Sequence, residues 1–326
     1  MPRGATDPAV SAIATTPFVS YDASFAAVLG DAPRLELLIE TDAHEGPVYS
    51  PAEHALYFTT LPRSGVAGDD PWVAIKRLAL ADLSLSVVRE PANGANGMAL
   101  DRDGRLVVCE QGSLTQPARI VRLDPATGES ETLLDAWAGL ALNSPNDVVV
   151  RSDGTVWFTD PAYGHLQAFR PAPQVGDYVY RHDPASGSTT VVSDEFDKPN
   201  GLCLSPDESV LYVNDSGINQ EAGSHHPGRP HHIKAFDVED GLRLRGERLF
   251  AVVAPGQPDG MKCDADGRVY VSSASGVQVY DRTGLHLGAV SVPGAVNFCF
   301  GGPERDVLFI TNDSAVFAAI LEVRGA

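Results

Sequence analysis

The chain has 326 residues, of which 43% are hydrophobic, and it contains 31 glycines and 24 prolines. Its formal charge is −19, with 43 acidic against 24 basic side chains, so its composition argues against nucleic acid or an anionic membrane as a partner. The four cysteines form no CxxC pair and no zinc-type spacing, which predicts buried thiols. No apolar run is long enough for a membrane span and no secretory leader is recognisable, so we expect a cytoplasmic protein.

The predicted elements begin with an N-terminal extension, residues 1–30, in which SYDASFAAVLG indicates one short helix. RLELLIE at 34–40 then predicts a strand. Six similar hairpins follow, and each has a polar residue, an apolar strand, an Asp, Gly or Pro turn and a second apolar strand. These hairpins occupy 45–60, 96–110, 146–160, 200–215, 259–273 and 297–312. They recur roughly every 50 residues with further strand-like pieces between them, which indicates four strands per repeat.

Six repeats of four strands predict an all-β fold, a six-bladed β-propeller that occupies residues 31–326 as a single domain. The last repeat lacks one strand, so we expect the N-terminal strand at 34–40 to close the last blade. A pair of β-sandwiches is the competing architecture, but it gives no reason for six repeats at this period. The absence of 10–15-residue helical patterns argues against an α/β fold.

A polar residue opens the first strand of every repeat. The first strand of a propeller blade lies innermost and lines the central channel, so these side chains should face one another. They are Glu45, Asn96, Asn146, Asn200, Asp259 and Asn297. Where the hairpins return, a second ring of oxygen-bearing side chains is predicted at Thr60, Glu110, Asp160, Asp215, Ser273 and Asn312. Turn preference explains a single Asn or Asp at such a position equally well, but Glu forms turns poorly.

Side-chain oxygens around a channel, without cysteine or clustered histidine, suit one hard divalent cation. Ca²⁺ is favoured because it takes about 6–8 oxygen ligands from carboxylates, amide carbonyls and water, with Zn²⁺, Mn²⁺ or Mg²⁺ as alternatives. Two carboxylates would balance the charge of such an ion and leave coordination positions open for water or a substrate. An open position is typical of a catalytic metal rather than a structural one.

Five motifs, in order, carry a family resemblance: EGPVY, NSPNDVVV…DGTVWFTDPAYG, KPNGLCLSPDESVLYV, QPDGMKCDADGRVYV and NFCFGGPERDVLFIT. From about Glu36 to Leu321 the chain resembles the senescence marker protein/gluconolactonase/regucalcin family of six-bladed propellers. The resemblance implies a metal held by a Glu, two Asn and an Asp, which correspond here to Glu45, Asn146, Asn200 and Asp259. One departure is that Ala141 and Leu142 precede Asn143, where many sugar-lactone hydrolases carry a basic residue.

The resemblance implies a gluconolactonase-like lactonase, a hydrolase that opens a sugar lactone or a related cyclic ester in the central channel. The metal would polarise the carbonyl while Asp259 accepts the proton of the attacking water. Asp215, in the second ring, is the alternative base. Asn96, Asn143 and His165 are the candidates for binding the lactone substrate.

Two other interpretations stay open. The same channel suits hydrolysis of another ester, such as a phosphotriester, and it also suits a calcium-binding or ligand-binding propeller without turnover. A complete ligand set below an open mouth favours the enzyme. The sequence leaves open which lactone is used, which metal is bound and what the oligomeric state is.

Overall fold

The computed structural model describes residues 16–63, 70–221 and 223–326. These residues form a β-propeller of six four-stranded antiparallel blades, as predicted. The innermost strands of neighbouring blades contact one another all the way round, so they enclose a central channel. No helix in the described ranges is long and apolar enough to cross a membrane.

Blades 1 to 3 follow one another along the chain, and each begins on its innermost strand. Blade 1 consists of Val48–Ser50, Ala55–Thr59, Ile75–Ala79 and Leu85–Arg89. Blade 2 consists of Ala95–Leu100, Leu106–Glu110, Arg119–Leu123 and Ser130–Leu134. Blade 3 consists of Val148–Val150, Val156–Asp160, Tyr178–Asp183 and Ser188–Ser193. A small ribbon of Ala136–Trp137 and Leu140–Ala141 connects blades 2 and 3.

Blades 4 and 5 repeat this plan, and blade 6 completes it with a strand from the other end of the chain. Blade 4 consists of Pro199–Leu204, Val210–Asp215, His232–Glu239 and Arg243–Val252. Blade 5 consists of Met261–Cys263, Val269–Ser273, Gly276–Tyr280 and His286–Val290. Blade 6 consists of Asn297–Gly301, Val307–Thr311, Ala315–Ile320 and, outermost, Arg34–Glu40. The predicted closing strand is therefore confirmed.

Asp-Gly turns fix the hairpins between the two inner strands of a blade. In blade 2 the Asp101 carboxylate accepts hydrogen bonds from the backbone N–H groups of Asp103 and Arg105, and Gly104 completes the turn with φ +79°. A glycine adopts this left-handed conformation without the steric cost that other residues meet. Asp264 and Gly267 repeat the arrangement in blade 5, where Asp264 also binds the Arg268 guanidinium.

Six buried apolar clusters hold the blades together, one at each interface between neighbours. Tyr57 and Leu106, for example, join blades 1 and 2, and Trp157 and Leu211 join blades 3 and 4. Because each blade is sandwiched between two others, both faces of its inner strands are apolar, and the alternating pattern of a half-exposed strand is lost.

The segment before the closing strand packs on the propeller. Phe18–Ser20 pairs with the outer strand of blade 5 as a fifth strand, which the sequence pattern did not indicate. The predicted short helix is present as a 3₁₀ turn, Ala23–Phe25, followed by Ala26–Leu29. Phe25 and Val28 are fully buried in the cluster between blades 5 and 6.

We expect deletion of residues 31–42 to lower the thermal midpoint by about 5–10 °C or to prevent folding. The deletion removes the outermost strand of blade 6 and exposes an unpaired edge at Ala315–Ile320. The matched control is a chain that begins at residue 16 and keeps every described element. Circular dichroism melting curves of the two chains provide the measurement, and equal midpoints would contradict closure by this strand.

Candidate active site

Hydrogen bonds join the blades to one another at the level where the inner strands begin. At four successive interfaces, a side chain on the second strand of one blade donates to a backbone carbonyl at the start of the next blade. The pairs are Thr159 to Asn200 (2.8 Å), Asn214 to Asp259 (2.5 Å), Ser272 to Val296 (2.5 Å) and Thr311 to His44 (2.6 Å). Between blades 2 and 3, the Asn96 side-chain amide donates to the Asn146 carbonyl at 3.0 Å. These bonds fix the start of five of the six inner strands at the channel.

A β-bulge turns two consecutive residues of each inner strand toward one partner residue. In blade 3 the N–H of Asn146 donates to the carbonyl of Thr159, whose own N–H donates to the carbonyl of Asp147. In blade 5 the same pattern sets Asp259 and Gly260 opposite Ser272. Two consecutive side chains can therefore point into the channel, which a regular strand would not allow.

This register shows that the six leading polar residues do not form one column. In blade 1 the bulge sets His44 and Glu45 opposite Thr59, and in blade 6 it sets Val296 and Asn297 opposite Thr311. Glu45 and Asn297 therefore occupy the second bulge position, the position of Asp147, whereas Asn146 and Asp259 occupy the first. The expectation of six equivalent positions was wrong because hairpin alignment cannot show which of two adjacent residues lies first in a bulge.

Glu45 and Asp259 meet in the channel. Glu45 is 4% exposed, and its Oε2 accepts hydrogen bonds from Asn297 Nδ2 at 2.7 Å and from the Gly46 N–H at 3.1 Å. The Asp259 carboxyl group lies within hydrogen-bonding reach of both Glu45 and Asn200. It is surrounded by protein on most sides but keeps partial access to solvent.

Burial and mutual repulsion disfavour negative charge in this group of carboxyls. Burial, reinforced by the Asp147 charge, raises the pKa of Asp259 from 3.8 to about 7. Burial and the Asp259 charge raise the pKa of Glu45 well above its usual value. Burial also raises the pKa of Asp147, although the positive charge of Lys262 opposes the rise. The channel thus concentrates three acidic side chains where little positive charge balances them.

The carboxamides beside these carboxyls fit a hard cation. Asn146 is 7% exposed, and its Oδ1 has no hydrogen-bond partner among the described residues. A buried amide oxygen without a donor is costly, and a cation would satisfy it. Within the described ranges, no three His, Cys, Asp or Glu side chains are grouped as a metal site. A cation here would therefore need the Asn oxygens as well as the two carboxylates.

Asn143 and Asn96 differ in how their side chains are used. Asn143 Nδ2 donates to the carbonyls of Asp160 and Gly176, while its buried Oδ1 has no partner among the described residues. The Asn96 amide is committed to the next blade through its bond to Asn146. Asn143 thus keeps a free acceptor atom, whereas the amide nitrogen of Asn96 is occupied by a structural bond.

The second ring holds loops in place. Asp215 Oδ1 accepts hydrogen bonds from the backbone N–H groups of Lys198 and Gly217, and its Oδ2 accepts one from Asp197. Asp160 likewise accepts the N–H groups that start the Asn143 loop. With both oxygens engaged in a 1% exposed position, Asp215 is poorly placed to accept a proton from water. The structure therefore argues against Asp215 as the alternative base.

In the DPAYGHL segment Tyr163 is buried, whereas His165 is not. The short helix Tyr163–Leu166 leaves His165 exposed to solvent, while Tyr163 is 7% exposed. Burial and the nearby charge of Asp259 raise the pKa of the Tyr163 phenol. Tyr163 was not among the predicted site residues, although its motif was recognised. The spacing of the motif did not indicate which of its residues turns inward.

Arg170 is a second residue that the sequence did not indicate. Its guanidinium is buried and donates to four backbone carbonyls at 2.8–3.1 Å, those of Asn143, Leu142, Ser113 and Gln116. It therefore ties a loop of blade 2 to the Asn143 loop of blade 3. A cation thus lies beside the segment of Ala141 and Leu142, but its donors are directed to the backbone.

Comparison with known proteins agrees with this architecture. Residues 43–314 match the family model described as the SMP-30/gluconolactonase/LRE-like region. The lactonohydrolase oryL of Aspergillus oryzae is 30% identical over 95% of this chain and 76% of its own length. The gluconolactonase of Zymomonas mobilis is 29% identical over 82% of this chain and 75% of its own length. The chain belongs to the SMP-30/gluconolactonase/LRE-like family.

Solved structures share the propeller. A gluconolactonase from Xanthomonas campestris is 34% identical, with a TM-score of 0.79 over 94% of this chain and 96% of its own. A regucalcin from Agrobacterium tumefaciens, described as a calcium-binding protein, has a TM-score of 0.68 over 88% of this chain and 93% of its own. At 20% identity, the second similarity concerns the fold alone.

We expect the stability of the protein in chelator to fall between about pH 4 and about pH 7. The folded protein holds the Asp259 proton up to about pH 7, whereas the unfolded chain releases it near 3.8, so this contribution is complete below 3.8 and is lost as the pH rises through about 7. Asp259→Asn should flatten the slope by up to about 1.4 kcal/mol per pH unit. Urea unfolding at several pH values provides the measurement, and parallel curves for the two proteins would contradict the raised pKa.

Proposed function

We propose that this protein is a metal-dependent lactonase whose divalent cation is held by Glu45, Asn146, Asn200 and Asp259. The observation that carries the proposal is the close approach of the buried Glu45 carboxyl and the partly exposed Asp259 carboxyl, in a channel where the buried Asn146 Oδ1 has no partner among the described residues. Two carboxylates and two amide oxygens match the charge and hardness of Ca²⁺, which we favour over Zn²⁺, Mn²⁺ and Mg²⁺.

The chain is an enzyme of the gluconolactonase-like lactonase class, as its family membership and its relatives named lactonohydrolase and gluconolactonase establish. For the substrate we propose a lactone with few charged groups. Ala141 and Leu142 offer no basic side chain, and the buried Arg170 guanidinium is engaged with backbone carbonyls. An acidic sugar lactone would therefore find no free cationic side chain at this part of the mouth.

The steps of lactone hydrolysis can be assigned to the cation and to individual side chains. When bound, the cation would polarise the lactone carbonyl and stabilise the charge that develops on it. Asp259 keeps partial access to solvent beside Glu45, so its carboxylate is placed to accept a proton from water as a general base. Asn143, with its free Oδ1, can accept a hydrogen bond from a substrate hydroxyl. The buried Tyr163 phenol lies within electrostatic reach of Asp259.

Asp259→Asn should lower lactone turnover at saturating cation by at least about 100-fold, because it keeps an oxygen ligand and removes the base. Asp215→Asn is the matched control: it should cost about 1–3 kcal/mol of stability through the loop but leave turnover by the folded protein nearly unchanged. Initial rates on a panel of lactones, followed with a pH indicator, provide the measurement. An active Asp259→Asn alongside an inactive Asp215→Asn would show that the base is assigned to the wrong residue.

Glu45→Gln should weaken cation binding by at least about tenfold while the fold survives, because one of two negative ligands is lost. Calorimetric titration with Ca²⁺ measures this without any substrate. Glu129→Gln, at an exposed position far along blade 2, is the control and should bind as the wild type does. Unchanged affinity in Glu45→Gln would remove Glu45 from the ligand set, and lactone hydrolysis that persists in chelator would contradict metal dependence.

A further inference from the structure

Two buried thiols of neighbouring blades touch in the central channel, away from the candidate active site. Cys203 lies on the innermost strand of blade 4 and Cys263 on that of blade 5, and their Sγ atoms are 3.6 Å apart. They are 3% and 5% exposed, and neither has a part in lactone hydrolysis. All four cysteines of the chain are free.

A cavity of about 530 Å³ is lined by both cysteines at the end of the channel opposite the carboxyl groups. We call it the floor cavity. The innermost strands of all six blades line it, through Tyr49, Met98, Val149, Cys203, Cys263 and Cys299. It can admit a reagent of a few atoms, so the thiols are buried without being sealed off.

The surroundings keep the Cys263 thiol protonated in the resting protein. The contact with Cys203 and burial raise the pKa of the Cys263 thiol well above its usual value. The ammonium group of Lys262, which also lines the floor cavity, opposes this rise. A mild or bulky oxidant therefore meets little thiolate, and reaction requires a small reagent in contact with the pair.

We propose that Cys203 and Cys263 form a redox site in which a small peroxide entering the floor cavity generates a disulfide between blades 4 and 5. One thiol attacks the peroxide and becomes a sulfenic acid with release of water, and the other thiol displaces a second water as the S–S bond forms. The two thiols lose two protons and two electrons in total, and hydrogen peroxide is reduced to two molecules of water. The sulfurs must approach from 3.6 Å to about 2.05 Å.

The other two cysteines provide internal controls. Cys299 lines the same cavity from blade 6, but among the described residues its sulfur makes no contact like that of the pair. Cys109 lies in the apolar cluster between blades 2 and 3, away from the floor cavity. If exposure to the cavity decided which thiols react, Cys299 would be oxidised as readily as the pair. If the proximity of two sulfurs decides it, only Cys203 and Cys263 form the disulfide.

The test treats the reduced full-length protein with graded hydrogen peroxide, removes the peroxide with catalase, alkylates the remaining thiols in denaturant and maps the peptides by mass spectrometry. The wild type should lose the mass of two hydrogen atoms, yield a Cys203–Cys263 peptide and return to four thiols in dithiothreitol. Cys299→Ser should form the same disulfide and return to three thiols in dithiothreitol, whereas Cys203→Ser should form no disulfide. The thermal midpoint should rise on oxidation in the first two proteins only.

Three results would overturn the proposal. The first is conversion of Cys203 and Cys263 to sulfinic acids without a disulfide, and the second is a disulfide that includes Cys299. The third is four intact thiols after a peroxide dose that fully oxidises a buried-thiol reference protein. Melting curves of the reduced variants, recorded beforehand, establish that each serine substitution has left the fold intact.

Discussion

The hydrogen bonds between side chains of one blade and leading carbonyls of the next are the constraint on which the site depends. Thr159, Asn214, Ser272 and Thr311 each reach across an interface to a carbonyl that the channel would otherwise leave without a donor. An unpaired buried carbonyl costs roughly 1–3 kcal/mol, so each bond specifies the height of one inner strand relative to the next. The packing is close enough that a Cβ at Gly201 would collide with the Asp259 carbonyl oxygen. The starts of these inner strands are therefore held at fixed heights around the channel.

Some of the inner strands begin with carboxyl groups whose burial and mutual repulsion are electrostatically unfavourable. Glu45, Asp147 and Asp259 would each be more stable apart and in water, as the direction of their pKa values shows. Nothing in the packing of the six apolar clusters requires acidic residues at these positions. Charged groups that a rigid fold holds in an unfavourable environment are typical of a functional site and rare elsewhere in a stable fold.

Repetition in the sequence was sufficient to predict the architecture, because six hairpins with similar turns have few ways to bury their apolar strands. The closing strand followed from the missing strand of the last repeat. The bulge was not predictable, since a hairpin alignment treats Glu45 and Asn146 as equivalent although hydrogen bonding places them one residue apart. The role of Asp215 was missed for a related reason: its partners are backbone N–H groups of its own loop, which leave no side-chain pattern. Arg170 and Tyr163 were missed because loops over the mouth are ordered by contacts distant in sequence.

The strand Arg34–Glu40 pairs with Ala315–Ile320, so the last blade is assembled from both ends of the polypeptide. During synthesis this strand leaves the ribosome some 280 residues before its partner, which at about 5–20 residues per second is a delay of roughly 15–60 s. For that time its apolar side chains and backbone edge have no native neighbour, although the first blades already have theirs. The strand Arg34–Glu40 is therefore without its partner strand through most of translation. The folded structure alone does not reveal the risk of aggregation during synthesis. That risk depends on how many residues must be translated after this strand.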